Sequence, residues 1–147
     1  MSTLLHKPKS AALRKTAWAY GALAILSEIF SFVYLQFSHG ESSPFLVWLF
    51  APALLLGMVP ALVLGRTSAK NRPGSATRRI WNSAIATLMA GMLVRSVINI
   101  SGRYTDYDGI YWVLSGLLFA AAVYAYLRQQ KTTANRAKAD PIDAMLF

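Results

Sequence analysis

Apolar residues run almost unbroken through four stretches of the chain, 18–37, 45–64, 80–100 and 110–127, and polar or turn-forming residues gather between them. A ~30 Å hydrocarbon core takes about 20 helical residues to cross. Backbone groups in lipid must find their hydrogen bonds within their own segment. Each stretch therefore predicts a transmembrane helix, the last one short and borrowing a residue or two at each end. The intervening 38–44, 65–79 and 101–109 are rich in Ser, Gly, Asp, Pro or charge and read as loops. The expected fold is all-α, an antiparallel bundle of four transmembrane helices. Residues 1–15 form a basic N-terminal segment, 16–130 the four-helix domain, and 131–147 a tail expected to be flexible, with apolar Met145, Leu146 and Phe147 at its end able to dock. The first stretch is longer than a signal-peptide core of ~7–15 residues and carries Glu28, so it reads as a retained helix.

Lys and Arg set the expected orientation. Lys7, Lys9, Arg14 and Lys15 precede the first stretch. Arg66, Lys70, Arg72, Arg78 and Arg79 fall in the second loop, and Arg128, Lys131, Arg136 and Lys138 follow the last stretch. The other two loops hold only Arg103. This asymmetry predicts both termini and the middle loop in the cytoplasm, in a plasma or inner membrane. The aromatic residues fit the same frame. Trp18 and Trp81 fall at inner ends, Trp48 and Trp112 near outer ends, and Tyr34, Tyr104, Tyr107 and Tyr111 on the outer side, where amphipathic rings favour the headgroup level.

Composition narrows the function classes. Hydrophobic residues make up 55% and charged residues 14% of the chain, against about a quarter charged in a soluble domain. A net charge of +9 in a soluble protein would point to nucleic acid. Here the cations flank apolar runs, so the expected partner is anionic lipid at the cytoplasmic face, at roughly 1 kcal/mol per Lys or Arg, and no nucleic acid. The absence of Cys excludes disulfides, thiol catalysis and Cys-ligated zinc. His6 and His39 make no metal motif, and the basic loop 66–74 lacks the Gly-x-x-x-x-Gly-Lys-Ser/Thr phosphate-binding pattern. No cofactor, metal or enzymatic activity is expected.

Three residues inside the spans could carry chemistry. Glu28 lies ten residues into the first stretch, ~15 Å deep. An ionisable group at that depth is a functional-site candidate by default. Gly21, Ala24 and Ser31 share its face and would let another helix approach closely. Arg95 lies ~22 Å along the third stretch, which runs parallel to the first, so the two depths differ by ~7 Å. Long side chains lean toward the helix N-terminus, which brings Arg95 toward Glu28. An ion pair between them is the expected arrangement, and snorkelling of Arg95 to the outer headgroups is the alternative. Asn99, one turn beyond Arg95, could hold the guanidinium or bond across to another helix. A Glu28–Arg95 pair is either a lock that specifies helix neighbours or part of a proton, ion or substrate site. Pro52, Gly57 and Pro60 predict a kinked second helix. Broken helices line binding sites in some transporters, although kinks without function are common. The outer loop through Tyr104, Asp106, Tyr107 and Asp108 reads as a capped turn before the fourth helix rather than a cation site.

Ala24-Ile25-Leu26-Ser27-Glu28, followed by Phe37-Ser38 and Gly40, resembles the first helix of small multidrug resistance transporters. The resemblance implies a membrane glutamate, Glu28, that binds cationic substrate and protons, in a dimer of four-helix chains. It stops at Gly40. The third helix carries Arg95 where that family has a Gly-Val-Gly-like motif, and the strong charge asymmetry departs from that family's balanced loops. The expected function is a small, non-enzymatic, multi-pass membrane protein acting through helix contacts as an accessory, assembly or regulatory subunit. The alternative is a small proton- or ion-coupled transporter using Glu28. The assembly expected is a homodimer or a larger membrane complex.

Overall fold

A computed structural model of the chain describes residues 9–38, 41–66, 72–103 and 106–139, with side chains from 13 to 135. All regular structure among the described residues is helical: α1 (Lys9–Phe37), α2 (Pro44–Val47), a π-helical segment (Pro52–Met58), α3 (Val59–Arg66), α4 (Ser75–Ile100) and α5 (Gly109–Ala139). Three helices are long and apolar enough to cross a membrane, Leu13–Phe37, Ser75–Ile100 and Gly109–Asn135, and Pro52–Arg66 forms a shorter apolar helix.

Where the helices begin and end follows from local chemistry. Pro73 and Gly74 break the chain ahead of α4. Gly74 is extended, with φ −64° and ψ 169°, and its carbonyl accepts the first helical bond, from the Arg78 N–H at 3.1 Å. This puts the start of α4 five residues before the expected position at 80. At its other end Gly102 adopts φ 65°, a left-handed conformation that glycine enters without Cβ strain and that commonly ends helices. α5 runs on through 131–139, so part of the expected tail is helix; residues 140–147, with Met145, Leu146 and Phe147, lie outside the described residues, as do His6, His39, Tyr104 and most of the basic loop.

The second apolar stretch is not one regular helix. Prolines cannot donate, so Pro52 and Pro60 each remove a bond from the ladder. The gaps are filled from elsewhere. Ala51 donates to the Trp48 carbonyl at 3.0 Å, which Pro52 would otherwise have served. The Leu56 carbonyl, four residues before Pro60, accepts the Trp81 indole N–H from α4 at 2.8 Å. Trp81 stands edge-on to Phe119 of α5, with centroids 4.9 Å apart. A tryptophan expected to mark the headgroup level thus also ties the broken segment to α4 and α5.

The interfaces are built from small side chains. Ala17, Ala24, Ala53, Ala61, Ala84 and Ala122 are buried, with Ser27, Ser31, Ser96 and Ser115 among them. The large apolar side chains point outward, among them Trp18, Ile25, Phe32 and Leu117. Small residues inside and large ones outside is the distribution of helices surrounded by lipid, where close backbone approach and not a hydrophobic core drives packing. The second stretch lines up antiparallel along α1: the Leu46 carbonyl sits 2.7 Å from Ser31 Oγ, Gly57 lies under Tyr20, and Gly65 near Leu13. α4 and α5 form an antiparallel hairpin in steady register, pairing Gly74 with Gln129, Trp81 with Phe119, Ala84 with Ser115, and Arg95 with Asp108. α2 and the π-helical segment sit between α1 and α4, and α1 has no extended interface with α4 or α5.

Candidate functional site

The three candidate residues are held in three different places. Arg95 Nη1 lies 3.2 Å from Asp108 Oδ1 and 3.4 Å from Oδ2. This corrects the expected pairing with Glu28. The reason is the order of packing. The second stretch stands between α1 and α4, whereas α5 begins directly beside Arg95, with Asp108 one residue ahead of its first turn. Asp108 is buried, with only 8% of its side chain exposed against 27% for Arg95, and Trp112 Nε1 approaches it at 3.5 Å. The pair therefore pins the turn end of the α4–α5 hairpin.

Asn99 bonds across to another element, the second of its expected options. Its Nδ2 lies 3.2 Å from the hydroxyl of Ser43. Ser43 is fully buried and immediately precedes α2. Ser31 Oγ lies within bonding distance of the carbonyls of Leu46 (2.7 Å) and Ser27 (2.9 Å), with one proton to give. Asn99 and Ser31 thus clamp the short α2 from both sides, and its Leu46 packs with Leu49 and Met92, with Tyr34 and Leu35 against them.

Glu28 makes neither kind of contact. It is exposed on the flank of α1, and no ion pair or side-chain hydrogen bond joins it to another described residue. It borders an open groove of about 550 Å³ whose other walls are apolar: Gly21, Ala24 and Ile25 on α1, and Phe50, Leu54 and Met58 across from them. The expected small-residue face is split. Ala24 and Ser31 are buried against the second stretch, while Glu28 is turned to the edge of that interface. The π-helical segment supplies Leu54 and Met58 to the groove. Such segments often mark functional positions.

Sequence reasoning missed Asp108 and Ser43. A usable signal for Asp108 existed: a charge inside a span needs a partner, and the nearest acid across a short loop belongs to the adjacent helix. Ser43 had no such signal, since its burial depends on how α2 folds back. Among the described residues no group of three or more His, Cys, Asp or Glu side chains could hold a metal ion. Compared with known protein families, curated proteins and solved structures, the chain matches none of them.

Proposed function

We propose that the chain is a small, non-enzymatic, multi-pass membrane protein that works through lateral helix contacts, as an accessory, assembly or regulatory subunit. In this reading four antiparallel passes form the membrane domain, with both termini on the basic, cytoplasmic side of a cell membrane. The observation that carries it is Glu28. A carboxyl group near the midplane is costly to leave facing hydrocarbon, and this one faces outward from the chain. A helix docking in the Glu28 groove removes that cost with a single hydrogen-bond donor, and the exposed Ala22 leaves room for its backbone.

The test is site-specific photocrosslinking from Ile25 in native membranes. A discrete crosslinked protein, lost in Glu28→Leu, supports the reading. Crosslinks to lipid alone refute it. The second reading, a transporter that uses Glu28 for proton or ion coupling, draws support from the π-helical segment beside the groove. It requires that Glu28→Gln abolish substrate-driven proton movement in vesicles while any complex stays assembled.

A further inference from the structure

A second cavity, of about 470 Å³, opens at the opposite, basic end of the helices. It lies where α1 and α5 approach each other without packing. Leu13, Thr16 and Tyr20 line it from α1, Pro60, Ala61 and Leu64 from the second stretch, and Ala122, Val123 and Tyr126 from α5. Its volume falls within the ~300–1,000 Å³ of small-molecule sites, and its walls are mostly apolar with a few polar groups gathered together.

The charged groups have one sign. Ser75, Thr77, Arg78 and Arg79 of the first turn of α4 line the cavity, and no Asp or Glu does. The acidic residues among those described are Glu28, Glu41, Asp106 and Asp108. Glu28 borders the other groove, and the rest lie beyond the far ends of the spans. Arg78 Nε is buried and has no hydrogen-bond partner among the described residues. Buried donors are almost always bonded, and a guanidinium does not give up its proton. An unsatisfied cationic donor in a half-enclosed space that no described acid lines calls for an anion. The backbone adds to this. Gly74 at the N-cap gives no side-chain cap to α4, and its own N–H goes to Gln129 Oε1 at 2.8 Å. The first turn of this 26-residue helix, which contributes Ser75, Thr77 and Arg78 to the cavity lining, carries the positive end of the helix dipole.

We propose that this cavity is a binding site for one acidic phospholipid, its phosphate on Arg78 and the first turn of α4, its chain along Leu13, Leu64 and Val123. The recognising chemistry is a phosphate anion. The apolar walls and the gap between α1 and α5 select the membrane-borne form over free phosphate. The inference is independent of what covers Glu28, which borders a different groove.

The experiment uses the full chain in neutral detergent after growth in native membranes. Native mass spectrometry counts retained lipids, and thermal unfolding is followed with added phosphatidylglycerol, phosphatidylcholine or inorganic phosphate. The wild type should retain one acidic phospholipid per chain and be stabilised by phosphatidylglycerol only. Arg78→Met should weaken retention at least about tenfold, the loss expected for one charge-assisted hydrogen bond. Arg66→Met removes an equal charge from a position outside the cavity and should change retention little. Val123→Trp, at an exposed position on the rim, should block the chain-binding wall without touching the cations and also weaken retention. Equal losses in Arg78→Met and Arg66→Met would show general surface attraction and overturn the site. Stabilisation by inorganic phosphate equal to that by phosphatidylglycerol would overturn the lipid assignment.

Discussion

Breaking the Arg95–Asp108 pair from either side should destabilise the protein unequally, and breaking it from both sides should cost less than the sum. Stranding one member of a fully buried pair costs ~3–5 kcal/mol, while a surface pair contributes ~0–1 kcal/mol. This pair lies between those limits, with Asp108 8% and Arg95 27% exposed. Arg95→Met leaves the more buried carboxylate without its cation, for an expected loss of about 3 kcal/mol. Asp108→Leu leaves the guanidinium, which can reach water, for about 1.5–2 kcal/mol. The double variant should recover at least half of the summed loss. Denaturing-detergent titration in mixed micelles, read by far-ultraviolet circular dichroism, gives the three values, and the coupling follows from the cycle. Far-ultraviolet signal is preferable to tryptophan emission because Trp112 touches Asp108. The same cycle on Glu28→Gln and Arg95→Met should give coupling below about 0.5 kcal/mol, as for residues without shared partners. Additive losses in the first cycle, or coupling above that level in the second, would refute the packing order in which the second stretch separates α1 from α4.

Two further outcomes follow from the described geometry. Trp81→Phe should lower stability by about 1–2 kcal/mol by leaving the Leu56 carbonyl without its donor, and adding Pro60→Ala should recover part of the loss because residue 60 regains an N–H; no recovery in the same detergent titration would mean that the indole bond is not what stabilises the segment. Single cysteines at Ser42 and Ser75 should label from opposite faces of intact cells, Ser42 from outside, and labelling of Ser75 from outside would reverse the proposed orientation.

The apolar stretches were legible because length and continuity alone decide whether a segment can cross a bilayer. Boundaries were less so. Ser75, Ala76 and Thr77 look like loop, yet the Pro73-Gly74 break was the better marker of where α4 begins. The extension of α5 to Ala139 carries Ala, Lys, Arg and Gln, which favour helix, but it lacks the apolar continuity that defines a span. That the second stretch is not one regular helix was legible from Pro52, Gly57 and Pro60. Its repair was not, because the donor to Leu56 comes from Trp81, twenty-five residues away in sequence. Arg95 announced that it needed a partner. Matching depth favoured Glu28, but the order in which helices pack decided for Asp108, and depth says nothing about that order.

The π-helical segment forms the partition between the two openings. Leu54 and Met58 border the Glu28 groove, while Gly57 and the adjoining Pro60 border the basic-end cavity. On α1 the same division falls between neighbours: Gly21 faces Met58, 3.5 Å from its sulfur to where a Cβ would stand, and Tyr20 covers Gly57 so closely that any side chain there would strike the ring. The absence of a side chain at 57 is therefore what lets the partition close. One side of it is held to α4 and α5 through the Trp81 bond to Leu56. The other side is lined by apolar contacts beside Glu28. A helix pressing into the Glu28 groove would meet Leu54 and Met58 first. Across the partition Tyr20 lies against Gly57 with no room between them, and the same ring is a wall of the cavity that Arg78 lines.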